Sequence, residues 1–103
     1  MKDPNFEIIK RIVFDMLPGS EVVLFGSRAR ETNREDSDYD LLILIDNDIL
    51  PREKMGFRTK IRIALGKLKI YADVLIQSKR EVKIKKELPG HIIRRAILEG
   101  HQL

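Results

Sequence analysis

The sequence predicts a small α/β domain, a mixed sheet of three to four strands flanked by helices, spanning residues 1–103 as one unit. Helical and strand-like apolar patterns alternate along the chain in the order αβαβαβα, which builds layers of helix on sheet. The run Leu41-Leu42-Ile43-Leu44-Ile45 is continuously apolar, as in a strand covered on both faces. A chain of 103 residues with 43% hydrophobic content has material for one core and not for two.

The elements follow from local chemistry. Asp3-Pro4 is a helix start, a carboxylate cap followed by proline, and Phe6, Ile9, Val13 and Met16 then recur on one face until Pro18-Gly19 stops the helix. Glu21 to Phe25 is β-branched and aromatic and reads as a strand ending at Gly26, after which Ser27 can cap a short helix reaching about Arg34. Glu35-Asp36-Ser37 is a polar turn, and Asp38 to Ile45 is the second strand. From Pro51 the spacing is helical again, with Phe57, Ile61, Leu65 and Leu68 aligned and Gly56 and Gly66 weakening its ends. Ile70 to Ile76 reads as the third strand and Lys79 to Glu87 as a short helix. Leu88-Pro89-Gly90 is a break, and Ile92, Ile93, Ala96 and Ile97 mark a last helix closed by Gly100. Strand direction is left open by the sequence.

Composition narrows the chemistry. No apolar run approaches the roughly 20 residues that cross a bilayer, and no apolar stretch follows a basic start. A soluble, cytoplasmic protein without a cleaved signal or a membrane partner is therefore expected. The chain has 0 cysteines, which excludes disulfides and thiolate metal sites and leaves oxygen or imidazole as metal donors. Charge is segregated: residues 1–50 hold 6 Lys/Arg against 11 Asp/Glu, and residues 51–103 hold 14 against 5. Such a split suits a cation site in one half and an anionic partner on the other, or two solvated faces of opposite sign.

The informative segment runs from Gly26 to Leu41. Gly26 allows a close backbone approach, and the helix start behind it offers N–H groups to an anion, with the Ser27 hydroxyl beside them. Arg28 or Arg30 can add charge, but helical spacing turns only one of them to the site. Asp38 and Asp40, two apart on a strand, project to one face about 6 to 7 Å apart while Tyr39 points away. Paired carboxylates repel, and they are what a hard cation such as Mg²⁺ takes together with phosphate oxygens. Asp73 is the third candidate acid, because it interrupts an otherwise buried strand, where a lone charge calls for a partner. The D-x-D spacing is weak by itself: it recurs at Asp36/Asp38 and at Asp46/Asp48, the last read as a capping loop. His91 and His101 are read as capping or surface groups, and Tyr39 and Tyr71 as packing aromatics. The basic runs at 52–69 and 79–86 read as solvated helix faces.

Gly26-Ser27 followed by Asp38-Tyr39-Asp40, the later Tyr71-Ala72-Asp73-Val74 strand, and the Leu88-Pro89-Gly90 break before a terminal helix together resemble the DNA polymerase beta-like nucleotidyltransferases, in particular the minimal nucleotidyltransferases. The resemblance spans essentially the whole chain. It implies the nucleotidyltransferase fold and transfer of a nucleoside monophosphate, AMP from ATP or another nucleoside triphosphate, onto a hydroxyl. By that similarity Gly26 and Ser27, with Arg28 or Arg30, hold the nucleotide phosphates. Asp38, Asp40 and Asp73 are the catalytic acids and ligate one or two Mg²⁺ ions, and Asp73 also helps to activate the acceptor hydroxyl. The resemblance also implies a HEPN protein as partner and acceptor, the transferase being the antitoxin of a toxin–antitoxin pair. So short a chain leaves little for binding an acceptor, which points to that partner or to a homodimer. The alternatives are an antitoxin that neutralises by contact alone and, less favoured for want of stacking aromatics, a nucleic-acid binder. One position departs from the family pattern: the residue after Arg30, often glycine there, is Glu31.

Overall fold

The structure is a computed structural model describing residues 3–103. Helix α1 (Asn5–Met16) leads to strand β1 (Glu21–Phe25), the single-turn helix α2 (Gly26–Ala29) and strand β2 (Tyr39–Ile45). Helix α3 (Pro51–Gly66), strand β3 (Ala72–Ser78), helices α4 (Lys79–Lys85) and α5 (Ile92–Glu99), and the two-residue strand β4 (His101–Gln102) complete the chain. No helix among the described residues is long and apolar enough to cross a membrane.

The four strands form one mixed sheet in the order β3-β2-β1-β4. β1 runs antiparallel to β2 and to β4, whereas β2 and β3 are parallel. A parallel neighbour needs a crossover connection, and α3 supplies it.

The near-continuous apolar character of β2 has the predicted cause, burial on both faces. On one face Leu41, Ile43 and Ile45 join Val22, Leu24, Val74 and Ile76 beneath Ile9 and Val13 of α1 and Ile61 and Leu65 of α3. On the other, Leu42 packs with Val23 and Phe25 under Ile93 and Ala96 of α5, flanked by Leu44, Leu75 and Val82. Asp40 and Asp73 have the parity of Leu42 and Leu75, so they belong to the face covered by α5, at the end of the sheet where that cover stops.

Several boundaries differ from expectation by a few residues, two of them for reasons the structure shows. The helix expected from Ser27 to about Arg34 ends at Ala29. Glu31 takes a left-handed conformation (φ 58°), and the Arg28 guanidinium draws the following segment back by binding the carbonyls of Glu35 (3.0 Å) and Ser37 (2.7 Å). The third strand begins at Ala72 rather than Ile70, because the Ile70 N–H still serves the end of α3 through Leu65 O (3.0 Å) and Lys69 turns the chain at φ 61°. Gly100 closes α5 as expected, but in an extended conformation (φ −78°), so its need for glycine is spatial: a Cβ there would overlap Ala96 O and the Val23 side chain.

Capping decides the other ends. The Asp3 carboxylate accepts the Asn5 N–H (2.9 Å) at the start of α1. At α4, the Ser78 hydroxyl accepts the Glu81 N–H (3.1 Å) while Glu81 accepts the Ser78 N–H (2.8 Å), a reciprocal capping box. Glu81 also takes Lys54 at 2.7 Å, joining α4 to α3. His91 caps α5, its Nδ1 accepting the Ile93 N–H (3.0 Å), as the sequence reading allowed.

Candidate active site

The site is built where β1 ends. Phe25 pairs with Asp40 across the antiparallel β1–β2 ladder, and Asp40 pairs with Asp73 across the parallel β2–β3 ladder. One residue of β2 thus faces the glycine–serine bend on one side and the third acid on the other. Gly26 is required twice over. Its φ is +72°, a region that side chains disfavour, and a Cβ at this position would overlap the Asp40 carboxylate. Asp38 immediately precedes β2, with Tyr71 and Ala72 beside it around one cleft.

Tyr39, between the two acids, points into the opposite layer. Its hydroxyl donates to the Asp3 carboxylate and accepts from Asn5 Nδ2 (3.1 Å), and its ring meets Phe6 edge-on at 6.4 Å. That anchoring fixes the register of β2 and so the face from which Asp40 projects. Burial pushes the Tyr39 hydroxyl pKa above its ordinary value, and the neighbouring Asp3 pushes the same way. Tyr39 is a packing group, as its sequence reading held.

The electrostatics converge on Asp40. Its carboxyl is held above the usual range by burial, then by Asp73 and Asp38; Arg30 opposes this and Glu99 adds to it. No salt bridge reaches Asp38, Asp40 or Asp73 from any Lys or Arg among the described residues. Asp40 is half-buried, whereas Asp38 and Asp73 are exposed; β3 is an edge strand of alternating burial, so Asp73 is not the lone charge in a buried strand that the sequence suggested. Carboxylate oxygens are the donors that Mg²⁺ takes. Among the described residues no three carboxylate or imidazole groups already close around a common point as a metal cage would.

The two arginines of the bend part company. Arg28 turns away from the acids: its Nε donates to Ser37 O (2.9 Å), and its guanidinium lies 4.0 Å from the centre of the Tyr39 ring. It shapes the loop leading into Asp38. Arg30 turns toward the acids, with Nη1 3.0 Å from Glu99 Oε1 and an influence on Asp40. The Ser27 hydroxyl has no hydrogen-bond partner among the described residues, and the Ser27 carbonyl accepts the Thr32 N–H (2.9 Å). With α2 only one turn long, what the bend offers an anion is individual N–H groups and a hydroxyl rather than a developed helix dipole.

Glu31 lies elsewhere. It lines a cleft with Phe6, Lys10 and His101, and the charges that shift Asp40 are those of Asp73, Asp38, Arg30 and Glu99. Its left-handed backbone gives the departure at this position a conformational meaning, since glycine takes that conformation without strain.

One member of the site escaped the sequence reading. Glu99, the last residue of α5, accepts the Gly26 N–H (3.3 Å) and pairs with Arg30. No motif marks it; the one sequence clue is its place at the end of an amphipathic helix.

Comparison with known proteins places the fold. The sequence matches the nucleotidyltransferase domain family over residues 7–102. A search of curated proteins found no match. Among solved structures, a toxin–antitoxin complex with AMP-PNP superposes with a TM-score of 0.62 at 21% identity, over 97% of this chain and 72% of that one. A mutant MntA–HpeT toxin–antitoxin gives 0.64 at 21%, over 98% and 72%. The MNT antitoxin complex with a tri-AMPylated Shewanella oneidensis HEPN toxin gives 0.59 at 19%, over 95% and 67%. At these identities the structural likeness is one of fold. The match across nearly the whole sequence, on a sheet whose ends bring the glycine–serine bend against paired acids, establishes that the chain belongs to the nucleotidyltransferase domain family.

Proposed function

We propose that the protein transfers AMP from ATP to a hydroxyl of a partner protein and that it acts as the antitoxin of a HEPN toxin. The observation that carries the chemistry is the position of Asp40, in register with both the Phe25–Gly26 bend and Asp73. The partner assignment is supported by the neighbours in fold, of which one is a complex with AMP-PNP and another holds an AMPylated HEPN toxin.

In this reading the acceptor hydroxyl oxygen attacks the α-phosphorus, the bond to the departing pyrophosphate breaks, and Asp73 takes the hydroxyl proton. Gly26 N–H, the Ser27 hydroxyl and Arg30 hold the phosphates, while Arg28 keeps the loop before Asp38 in place. Asp38, Asp40 and Asp73 would hold Mg²⁺, which when bound neutralises the phosphate oxygens and the acids together. Arg30 shares that work, and positioning supplies the rest of the rate.

Incubation with labelled ATP, Mg²⁺ and a purified HEPN protein as candidate partner tests the proposal. Covalent label on a partner hydroxyl is expected. Association without label would instead support neutralisation by contact alone, and failure to associate would overturn the antitoxin reading.

A further inference from the structure

Glu99 presents a carboxylate to two of the groups that the proposed reaction assigns to phosphate. Its Oε1 accepts the Gly26 N–H at 3.3 Å and Arg30 Nη1 at 3.0 Å. The side chain is only 25% exposed and is not a loose surface group. Ile93 and Ala96 bury α5 against the sheet, and the residue after Glu99 is Gly100, packed so tightly on Ala96 and Val23 that a Cβ would not fit. The helix end is therefore fixed, and with it the carboxylate. Its position is also expensive, because its charge adds to those already raising the Asp40 pKa. An ordinary surface ion pair contributes little and would not by itself account for a fourth acid at this place.

We propose that Glu99 is an internal competitor for the nucleotide phosphate: its carboxylate occupies the Gly26 N–H and Arg30 until a triphosphate displaces it, which frees Arg30 to pair with the incoming anion. This rests on the nucleotidyl-transfer reading and adds to it a residue that sets nucleotide affinity. An oxyanion on an N–H and a guanidinium has the donor set that a phosphate oxygen takes, so the two cannot be bound there together. Nucleotide binding then bears the cost of breaking the Glu99–Arg30 pair, and charge repulsion between Glu99 and the phosphates favours the exchange.

Calorimetric titration of a non-hydrolysable ATP analogue with Mg²⁺ into the wild type, Glu99→Gln, Arg30→Gln and the double variant tests this. Glu99→Gln keeps an acceptor oxygen for the Gly26 N–H, and an unchanged circular dichroism spectrum checks its fold. It should bind about tenfold more tightly, the loss of one charge-assisted contact from the competing state. Arg30→Gln should bind more weakly, and most of the gain from Glu99→Gln should vanish in the Arg30→Gln background. Unchanged or weaker binding by Glu99→Gln would overturn the proposal while leaving the nucleotide reading standing. Equal gains in both backgrounds would also overturn it, because repulsion at a distance does not need Arg30. Absence of binding by the wild type and every variant would overturn the nucleotide reading and this proposal with it.

Discussion

Asp38/Asp40 and Asp46/Asp48 repeat one spacing at the two ends of β2, and the fold treats them in opposite ways. Past the C-terminal end, Asp46 meets Lys79 at 3.0 Å, and Asp48 meets Arg80 at 2.7 Å and accepts the Ser78 hydroxyl. Those partners hold the Asp48 carboxyl below its ordinary range, the Ser78 hydroxyl first and Arg80 next. At the N-terminal end Asp40 is shifted upward, by burial and then by Asp73 and Asp38. Spacing is thus no guide to role: carboxylates provided with cations and donors hold the fold together, and carboxylates near other carboxylates are left without an ion-pair partner among the described residues.

That contrast can be broken most directly at Asp40. Asp40→Asn should lower transfer about 100-fold or more and at the same time raise the thermal midpoint, because it removes a desolvated charge that its neighbours repel; a variant as active as the wild type in the labelling assay, or one that melts lower, would refute the contrast. The two ends should also respond oppositely to pH. A raised folded pKa means that the folded state holds the Asp40 proton more firmly, so stability falls as pH rises from the ordinary carboxylate value, about 3.9, through the raised one. Asp48 behaves in reverse, its contribution being present above the ordinary value and lost as pH falls through the depressed one. In urea titrations spanning both windows, Asp40→Asn should gain on the wild type as pH rises above the ordinary carboxylate value, while Asp48→Asn should fall further behind as pH rises toward it from below.

Gly26→Ala probes the same end through sterics. It should cost at least about 1–2 kcal/mol from the left-handed backbone alone and should abolish transfer by displacing the Asp40 carboxylate, both readable by denaturation and labelling. At the other end, Ser78→Ala removes a fully buried hydroxyl that caps α4 and donates to Asp48. It should cost about 1–2 kcal/mol, lowering the thermal midpoint by roughly 4–8 °C per kcal/mol without changing transfer. The smallest expected effect is at Glu31, where Glu31→Gly should stabilise by about 1 kcal/mol or less through relief of backbone strain. A loss of stability there would show that the side chain does more than tolerate its conformation.

Much of this fold was legible along the chain. The α1 start lay in Asp3-Pro4, the α3 start in Pro51, and the double burial of β2 in its unbroken apolar run. Asp73 drew notice as a charge in an apolar run, but its strand is an edge strand of alternating burial and Asp73 lies exposed, so what singles it out is its register with Asp40 and not a buried charge. The end of the helix at Ala29 was not legible, because long-range bonds from Arg28 to Glu35 and Ser37 compete with continued helix. The choice between Arg28 and Arg30 was hidden for the same reason: each takes its direction from a partner remote in sequence, the Tyr39 ring for one and Glu99 for the other.

The sequence by itself determined most of the elements, β4 excepted, and set Asp38 and Asp40 two residues apart at the start of one strand, because periodicity, caps and turn residues act between near neighbours on the chain. Only the tertiary structure decided that β2 and β3 run parallel with Asp40 beside Asp73, that one aspartate pair is neutralised and the other is not, and that Glu99 reaches the Gly26 N–H. A carboxylate's energy is set by the charges and donors brought within a few ångströms of it, and here those arrive from distant stretches of the chain.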